Sequence, residues 1–364
     1  MNRRELLQAG AVIAGGLLAG CGTLAPMSAR SRATPARLLF NENPYGPSPV
    51  ARKAMTAAFD EGNLYTSLPT NELRSLVAES VGLTPDHIAI GAGSSEILSV
   101  AGLLYGKDGG EIIAAHPTFE QIVEYGQTIG AAIQSVPLDA TMKHDLAEMH
   151  RRISGKTTLV YICNPNNPTG TLVSSDALHS FCEDVSKRAL VFVDEAYHEY
   201  VEDPGYRTMV DLVKQGQNII VSRTASKIHG LAGLRIGFGI GQPETIKKLD
   251  RAMTGSVNVV GLRGAIASYR DKEFQNFCLT KNREGKQFLY RLFEQHRLDY
   301  VPSDANFVFF RIGTSIENFR PAMQERGILV GRPFPPYTDW CRVSIGTDEQ
   351  LRQFAEALPA ALAA

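Results

Sequence analysis

The sequence lacks the marks of several protein classes. It has no basic excess: 37 Lys and Arg stand against 38 Asp and Glu, for a net charge of −1. A nucleic-acid binder normally carries surplus cations to neutralise phosphates, so that class is not supported. Cysteine is sparse and scattered. Cys21, Cys163, Cys182, Cys278 and Cys341 form no C-x-x-C pair, and no His/Cys cluster has zinc spacing. That pattern is too thin for a disulfide scaffold and calls for no metal; buried free thiols are the expected state. There is no internal repeat and no low-complexity block, and at 44% hydrophobic residues the chain is too apolar to stay disordered. Its 364 residues allow one large domain and a smaller one, each with a core.

Long apolar runs are also missing, with one exception at the N-terminus. Arg3-Arg4 precedes an almost uncharged, Gly-rich stretch from Leu6 to Gly20. It is short for a bilayer crossing and too Gly-rich for a good core helix, so it reads as an export signal. The arginine pair resembles a twin-arginine signal. Leu18-Ala19-Gly20-Cys21 resembles a lipoprotein cleavage box, which would make Cys21 a lipidated first residue anchored to a membrane; ordinary cleavage near Ala29 is the alternative. Residues 1–36 are thus expected to be signal and tether, and the mature protein exported, either periplasmic or lipid-anchored.

From Leu38 onward, short runs rich in Ile, Val and Phe alternate with amphipathic segments. Ile88–Ile90, Glu111–Ala115, Ala132–Val136, Thr158–Ile162, Leu190–Val193, Asn218–Val221 and Leu234–Gly239 read as strands buried on both faces. Helix candidates lie between them. The expected fold class is α/β, a large domain with a mostly parallel sheet flanked by helices over 61–255. A smaller α+β domain is expected over 256–364, with 37–60 packing beside it. The last helix is expected from Asp348 to Leu358, stopped by Pro359.

Four local patterns carry chemistry. Ser222-Arg223-Thr224-Ala225-Ser226-Lys227 follows a strand, and Arg235 lies eight residues after Lys227. A lysine that bonds an aldehyde cofactor as an imine must be partly desolvated so that its amine is often neutral. Neighbouring hydroxyls and an arginine would clasp a phosphate. Asp194 ends the strand Val191-Phe192-Val193-Asp194, where a buried carboxylate is costly unless paired; Glu195 would point the other way, and Tyr197 follows. Asn164-Pro165-Asn166-Asn167-Pro168 is a rigid turn able to hold an amide in place. Gly91-Ala92-Gly93-Ser94-Ser95 is a Gly-rich turn opening a helix, a setting that favours phosphate.

In that order these motifs resemble the aspartate-aminotransferase superfamily of pyridoxal-phosphate enzymes, class I/II, and within it are most similar to histidinol-phosphate aminotransferases. The resemblance runs from about Leu38 to the C-terminal helix and implies fold type I. It implies that Lys227 carries the cofactor and shuttles the proton, and that Asp194 binds the pyridine nitrogen. Asn167 and Tyr197 would bind the phenolic oxygen. Ser94, Ser95, Thr224, Ser226 and Arg235 would hold the phosphate, with Phe119 stacked on the ring. Arg342 would grip the substrate α-carboxylate and Arg332 a substrate phosphate, while Asn41 and Tyr45 belong to a substrate-covering segment. Tyr65 would reach the phosphate of a neighbouring subunit, which implies a homodimer. Two departures stand out: Ser95 replaces a usual Asp, and Gly331–Tyr337 is long and Pro-rich. The expected function is aminotransfer between an amino acid or amino-phosphate and a keto acceptor. Other pyridoxal-phosphate reactions (threonine-phosphate-like decarboxylation, racemisation, oxidation) and a non-catalytic binding protein remain the alternatives.

Overall fold

A computed structural model describes residues 34–364; the expected export segment, with Arg3, Arg4 and Cys21, lies outside the described residues. The chain begins with β1 (Ala36–Leu38), α1 (Pro49–Ala57), α2 (Ser67–Val81), β2 (Ile88–Ala92) and α3 (Ser94–Gly106). It continues through β3 (Glu111–His116), α4 (Gln121–Thr128), β4 (Ala132–Pro137), α5 (Leu146–Arg152), β5 (Thr157–Cys163) and α6 (Ser175–Val185). Next come β6 (Leu190–Asp194), α7 (Val210–Lys214), β7 (Ile219–Thr224), β8 (Ile236–Gly241), α8 (Pro243–Ala252), α9 (Val259–Arg270) and α10 (Lys272–Gln295). The chain closes with β9 (Tyr300–Val301), β10 (Phe307–Arg311), α11 (Ile316–Glu325), β11 (Ile328–Val330), β12 (Trp340–Ser344) and α12 (Asp348–Leu362).

Seven strands form one sheet in the order β2-β8-β7-β6-β5-β3-β4. Neighbours among β3 to β7 pair in parallel, while β8 runs against both β7 and β2. The apolar runs of these strands are explained by burial on both faces. Ile113, Val160, Val191 and Val221 enter one core, and their alternating neighbours Ile112, Leu159, Leu190 and Ile220 enter the other. Register then sets the chemistry. Asp194 stands beside Cys163 on one side and Ser222 on the other, so the ends of β5, β6 and β7 come level. The loops leaving those ends carry the motifs, as is usual for ligand sites in parallel sheets.

Glu195 turns away from Asp194, as period-two geometry requires. It accepts hydrogen bonds from Thr208 Oγ1, from the Met209 N–H at 2.8 Å and from Arg223 Nη2 at 2.8 Å. The two adjacent carboxylates therefore serve different sides of the sheet.

A second core lies over the antiparallel sheet β12-β10-β9 and the parallel pair β1-β11. Phe293 stacks on Phe310 with ring centroids 4.2 Å apart, and Phe319 and Phe354 complete the aromatic centre. Pairing of β1 with β11 ties the N-terminal segment to this layer.

One expectation holds and two need adjustment. The helical stretch read over 262–296, with a break near Asp271, is two helices divided there, α9 and α10, with Asp271 accepting from the Phe274 N–H as the cap of the second. Helix α9, expected beyond the 255/256 division, contributes Leu262, Ala265 and Ile266 to the large-sheet core. Pro359 does not stop the last helix, which runs to Leu362. Leu358 and Ala361 are fully buried, so packing of the last turn outweighs the one backbone bond that proline cannot donate. Among the described residues Cys163, Cys182, Cys278 and Cys341 are free and buried. No helix there is long and apolar enough to cross a membrane, and no cluster of His, Cys, Asp or Glu could hold a metal.

Candidate active site

The carboxyl ends of β5, β6 and β7 open into a cleft of about 590 Å³, within the size range of small-molecule sites. Ser94, Ser95, Phe119, Asn167, Asp194, Tyr197, Thr224, Ser226, Lys227, Arg235, Asn41, Arg332 and Arg342 all line it. These residues come from stretches far apart along the chain, brought together by the sheet order and by the segment following β1.

At one end, four polar groups converge. Arg235, held at φ 57°, places Nη2 3.3 Å from Ser95 Oγ and donates through Nη1 to the Ala232 carbonyl at 2.9 Å. Thr224 and Ser226 hydroxyls are 2.8 Å apart, and Arg235 Nη1 reaches Ser226 Oγ at 3.5 Å. Ser94 and Ser95 open α3, whose first N–H groups have no helical acceptor. Gly93 precedes them at φ 78°, and a Cβ there would fall 2.1 Å from Arg235 Nη2. Gly237 lies so close behind that a Cβ would sit 2.0 Å from the Ser94 nitrogen. Glycine at both positions therefore leaves room for a cradle of hydroxyls, guanidinium and helix N-terminus, suited to a phosphate-like anion.

At the centre, Asp194 is buried. Ser222 Oγ donates to its Oδ1 at 2.7 Å and the Tyr161 hydroxyl to its Oδ2 at 3.4 Å. Burial pushes this carboxyl up to about 6, against the pull of those donors and of Lys227. A cationic N–H facing Asp194 would relieve the cost of that buried charge.

Lys227 is partly open to the cleft, and its Nζ donates to the carbonyls of Phe40 and Asn41 at 3.3 and 3.1 Å. Enclosure pushes the amine down to about 7, helped by the Arg342 cation and opposed by Asp194. About half of it is neutral near pH 7, as nucleophilic attack on a carbonyl requires. Tyr197 packs beside it, ring centroid 5.3 Å from Nζ, with its hydroxyl accepting from Asn41 Nδ2 at 3.0 Å.

At the far end, the buried Arg342 donates to Asn167 Oδ1 and, at 2.6 Å, to the Leu39 carbonyl, leaving Nε without a partner. Phe334 lies between two guanidiniums, its centroid 4.9 Å from Arg342 Cζ and 4.5 Å from Arg332 Cζ. This end suits an anionic substrate group.

The sequence matches the family described as aminotransferase class I and II over residues 36–358. The chain belongs to that family. It is similar to the histidinol-phosphate aminotransferase of Moorella thermoacetica, 39% identical over 330 residues that cover 90% of this chain and 85% of the relative. Similarity to histidinol-phosphate aminotransferase 2 of Nitrosospira multiformis is 34% over 329 residues, covering 90% and 83%. A crystal structure of the Sinorhizobium meliloti histidinol-phosphate aminotransferase in complex with pyridoxal-5′-phosphate aligns with TM-score 0.85 at 26% identity, covering 91% of this chain and 92% of that one. The protein is therefore a pyridoxal-phosphate-dependent transaminase with the α/β fold expected of it, and the alternative of a non-catalytic protein falls away.

Two expected site residues lie outside this aminotransferase's cleft within one chain. The Tyr45 N–H bonds to Asn43 Oδ1 at 3.0 Å in a turn that carries its ring away, edge-on to Phe277 at 5.0 Å. Tyr65 is 99% exposed on the connection before α2. The structure also adds residues. Ser222 and Tyr161 steady Asp194, and Asn43 Nδ2 donates to the Ile228 carbonyl at 2.8 Å beside Lys227. Strand pairing of β6 with β7 is the signal that would have found Ser222; the others depend on long-range contacts.

The electrostatic coupling of Lys227 to Arg342 gives a signed prediction. The neutral amine is the reactive form, so the rate at which the cofactor-free protein takes up added pyridoxal phosphate rises with pH and is half-maximal near 7. Removing the cation in Arg342→Leu moves that midpoint upward, measured by stopped-flow absorbance across pH; an unmoved or lowered midpoint would contradict the coupling.

Proposed function

We propose that this transaminase takes pyridoxal phosphate in the cleft, where the Arg235 cradle would hold the phosphate, Phe119 and Asp194 the ring, and Lys227 the aldehyde. The fit rests on this chain's own residues: an anion cradle that a Cβ at Gly93 would fill, a buried Asp194 in need of a cation, and an amine held near neutrality. When bound, pyridoxal phosphate supplies the carbonyl that exchanges amino groups and an electron-withdrawing ring that stabilises charge at the substrate Cα. Asp194, kept in place by Ser222, would keep the ring nitrogen protonated. Asn167 and Tyr197 would hold the phenolic oxygen, and Asn41 orients the tyrosine hydroxyl. Lys227 Nζ would take the substrate α-proton and return it, a role suited to an amine that burial pushes down to about 7.

The anion end specifies the substrate. Arg342 pairs with the α-carboxylate of an amino acid, and a phosphomonoester in that position meets Arg342 and Arg332 on either side of Phe334. The relatives' names point to histidinol phosphate as such an amine, with a keto acid as partner. The single observation carrying the reading is that Lys227 shares one cleft with Asp194, Tyr197 and the Arg235 cradle, in surroundings that push its amine down.

We further propose a homodimer. Tyr65 is fully exposed, and Phe59, Leu64 and Leu68 beside it are exposed too, a patch that a second copy would cover. In that arrangement Tyr65 reaches the partner subunit's phosphate cradle. We also propose export through the Arg3-Arg4 signal, with Cys21 as the lipid-bearing residue.

Purified protein with added pyridoxal phosphate is expected to show a visible absorbance band that Lys227→Ala lacks. An amine donor should bleach the band and a keto acid restore it. Turnover by Lys227→Ala should fall by about 10²–10⁴-fold. A band that no amine in a panel including histidinol phosphate converts would favour decarboxylation, racemisation or oxidation instead. Light scattering should give twice the chain mass, and Tyr65→Asp should lower that mass; a monomeric wild type would sink the shared site. Cell fractionation should find the protein outside the cytoplasm and on membranes, with Cys21→Ala releasing it; membrane retention of that variant would refute the anchor.

A further inference from the structure

Arg332 is not free in the cleft. Its Nη2 donates to Glu120 Oε2 at 2.6 Å, its Nη1 to the Pro333 carbonyl at 3.0 Å, and its guanidinium lies on the Phe334 ring. Glu120 directly follows Phe119 and stands at the N-terminus of α4, with His116 Nδ1 3.8 Å away. The carboxylate itself is not part of the cleft wall; it meets Arg332 from the rim. The contact spans two parts of the molecule, from the loop after β3 to the Pro-rich segment after β11.

The other arginines that line the cleft differ in their commitments, and Arg320, which also lines it, has no acidic partner among the described residues. Arg37 is paired with Glu42 at 2.8 Å. Arg342 is turned toward Asn167 and Leu39, with no carboxylate on it. Arg332 is thus the cleft arginine whose charge an acidic residue from outside the cleft offsets. Both members are partly exposed, so the pair can open without stranding a buried charge.

From this geometry we infer that Glu120 is a specificity-determining residue acting through Arg332. It competes with anionic substrate groups for that guanidinium, so any donor whose anion reaches Arg332, a phosphomonoester included, must first displace it, and donors without such an anion are relatively favoured. The inference rests on the reading of Arg332 as a substrate contact. An amine with a carboxylate or phosphate placed to reach Arg332 must displace Glu120, whereas a neutral side chain leaves the pair closed. Glu120 touches neither cofactor nor reacting atoms, so it alters the KM of anionic substrates and not kcat.

The test compares wild type, Glu120→Gln, Arg332→Gln and the double variant, with L-glutamate and L-phenylalanine as probe donors at a saturating keto acid. Binding of inorganic phosphate is followed by titration calorimetry on the same proteins. A half-exposed ion pair is worth up to about fivefold in a competing equilibrium. Glu120→Gln should lower the KM for glutamate by up to about fivefold, leave its kcat and the phenylalanine KM unchanged, and tighten phosphate binding by a similar factor. In the Arg332→Gln background these changes should vanish, the signature of one coupled pair. Equal shifts for both donors, no shift for either, or an effect that persists without Arg332 would overturn the inference. If no donor turns over, the reaction assignment fails instead, and the phosphate titration still decides whether Glu120 masks Arg332.

Discussion

The cleft depends on keeping one amine enclosed yet reactive. Lys227 is held near 7 because the protein packed around it withdraws solvent and Arg342 opposes its positive charge, while Asp194 pulls the other way. Asp194 carries the complementary cost, a buried carboxyl pushed up to about 6. Their shared environment, closed by Tyr197 and by the carbonyls of Phe40 and Asn41, makes both tolerable and leaves them poised for a cofactor that satisfies each.

The segment after β1 performs the enclosure. Asn41 adopts φ 56°, an uncommon conformation for a residue with a side chain, and four partners keep it there. Its N–H donates to Ser344 Oγ, its side chain to Tyr197, and its carbonyl accepts from Lys227 and from Asn306 Nδ2. These contacts join β12 and the residue preceding β10 in the smaller layer to the loops after β6 and β7 in the larger one. The segment that shields the amine is therefore also the one that ties the two layers together, and Arg342 reinforces it through the Leu39 carbonyl.

Much of the site was legible in the linear sequence because motifs at strand ends land together once a parallel sheet forms. Lys227, Asp194, Asn167, Ser95 and Arg235 sit on loops that leave the same edge of one sheet, so order along the chain translates into neighbourhood in space. Tyr45 shows the limit of that translation. It lies four residues from Asn41, yet the turn at Asn43 carries it to Phe277. Pro359 shows another limit: a local rule that ends helices yields where Leu358 and Ala361 are already buried.

By itself the sequence determined what is encoded by short-range pattern: strands recognisable as apolar runs, hydroxyls spaced around Lys227, glycines where backbone must approach, and a carboxylate at a strand end. Only the tertiary structure decided the quantities that arise between distant residues. Ser222 and Tyr161 reach Asp194 across strand pairs, Arg342 tunes Lys227 from more than a hundred residues away, and Glu120 finds Arg332 across the mouth of the cleft. Hydrogen bonds and charge interactions act over a few ångströms of space, whatever the separation along the chain, so their partners exist only after the sheet and the second core have closed.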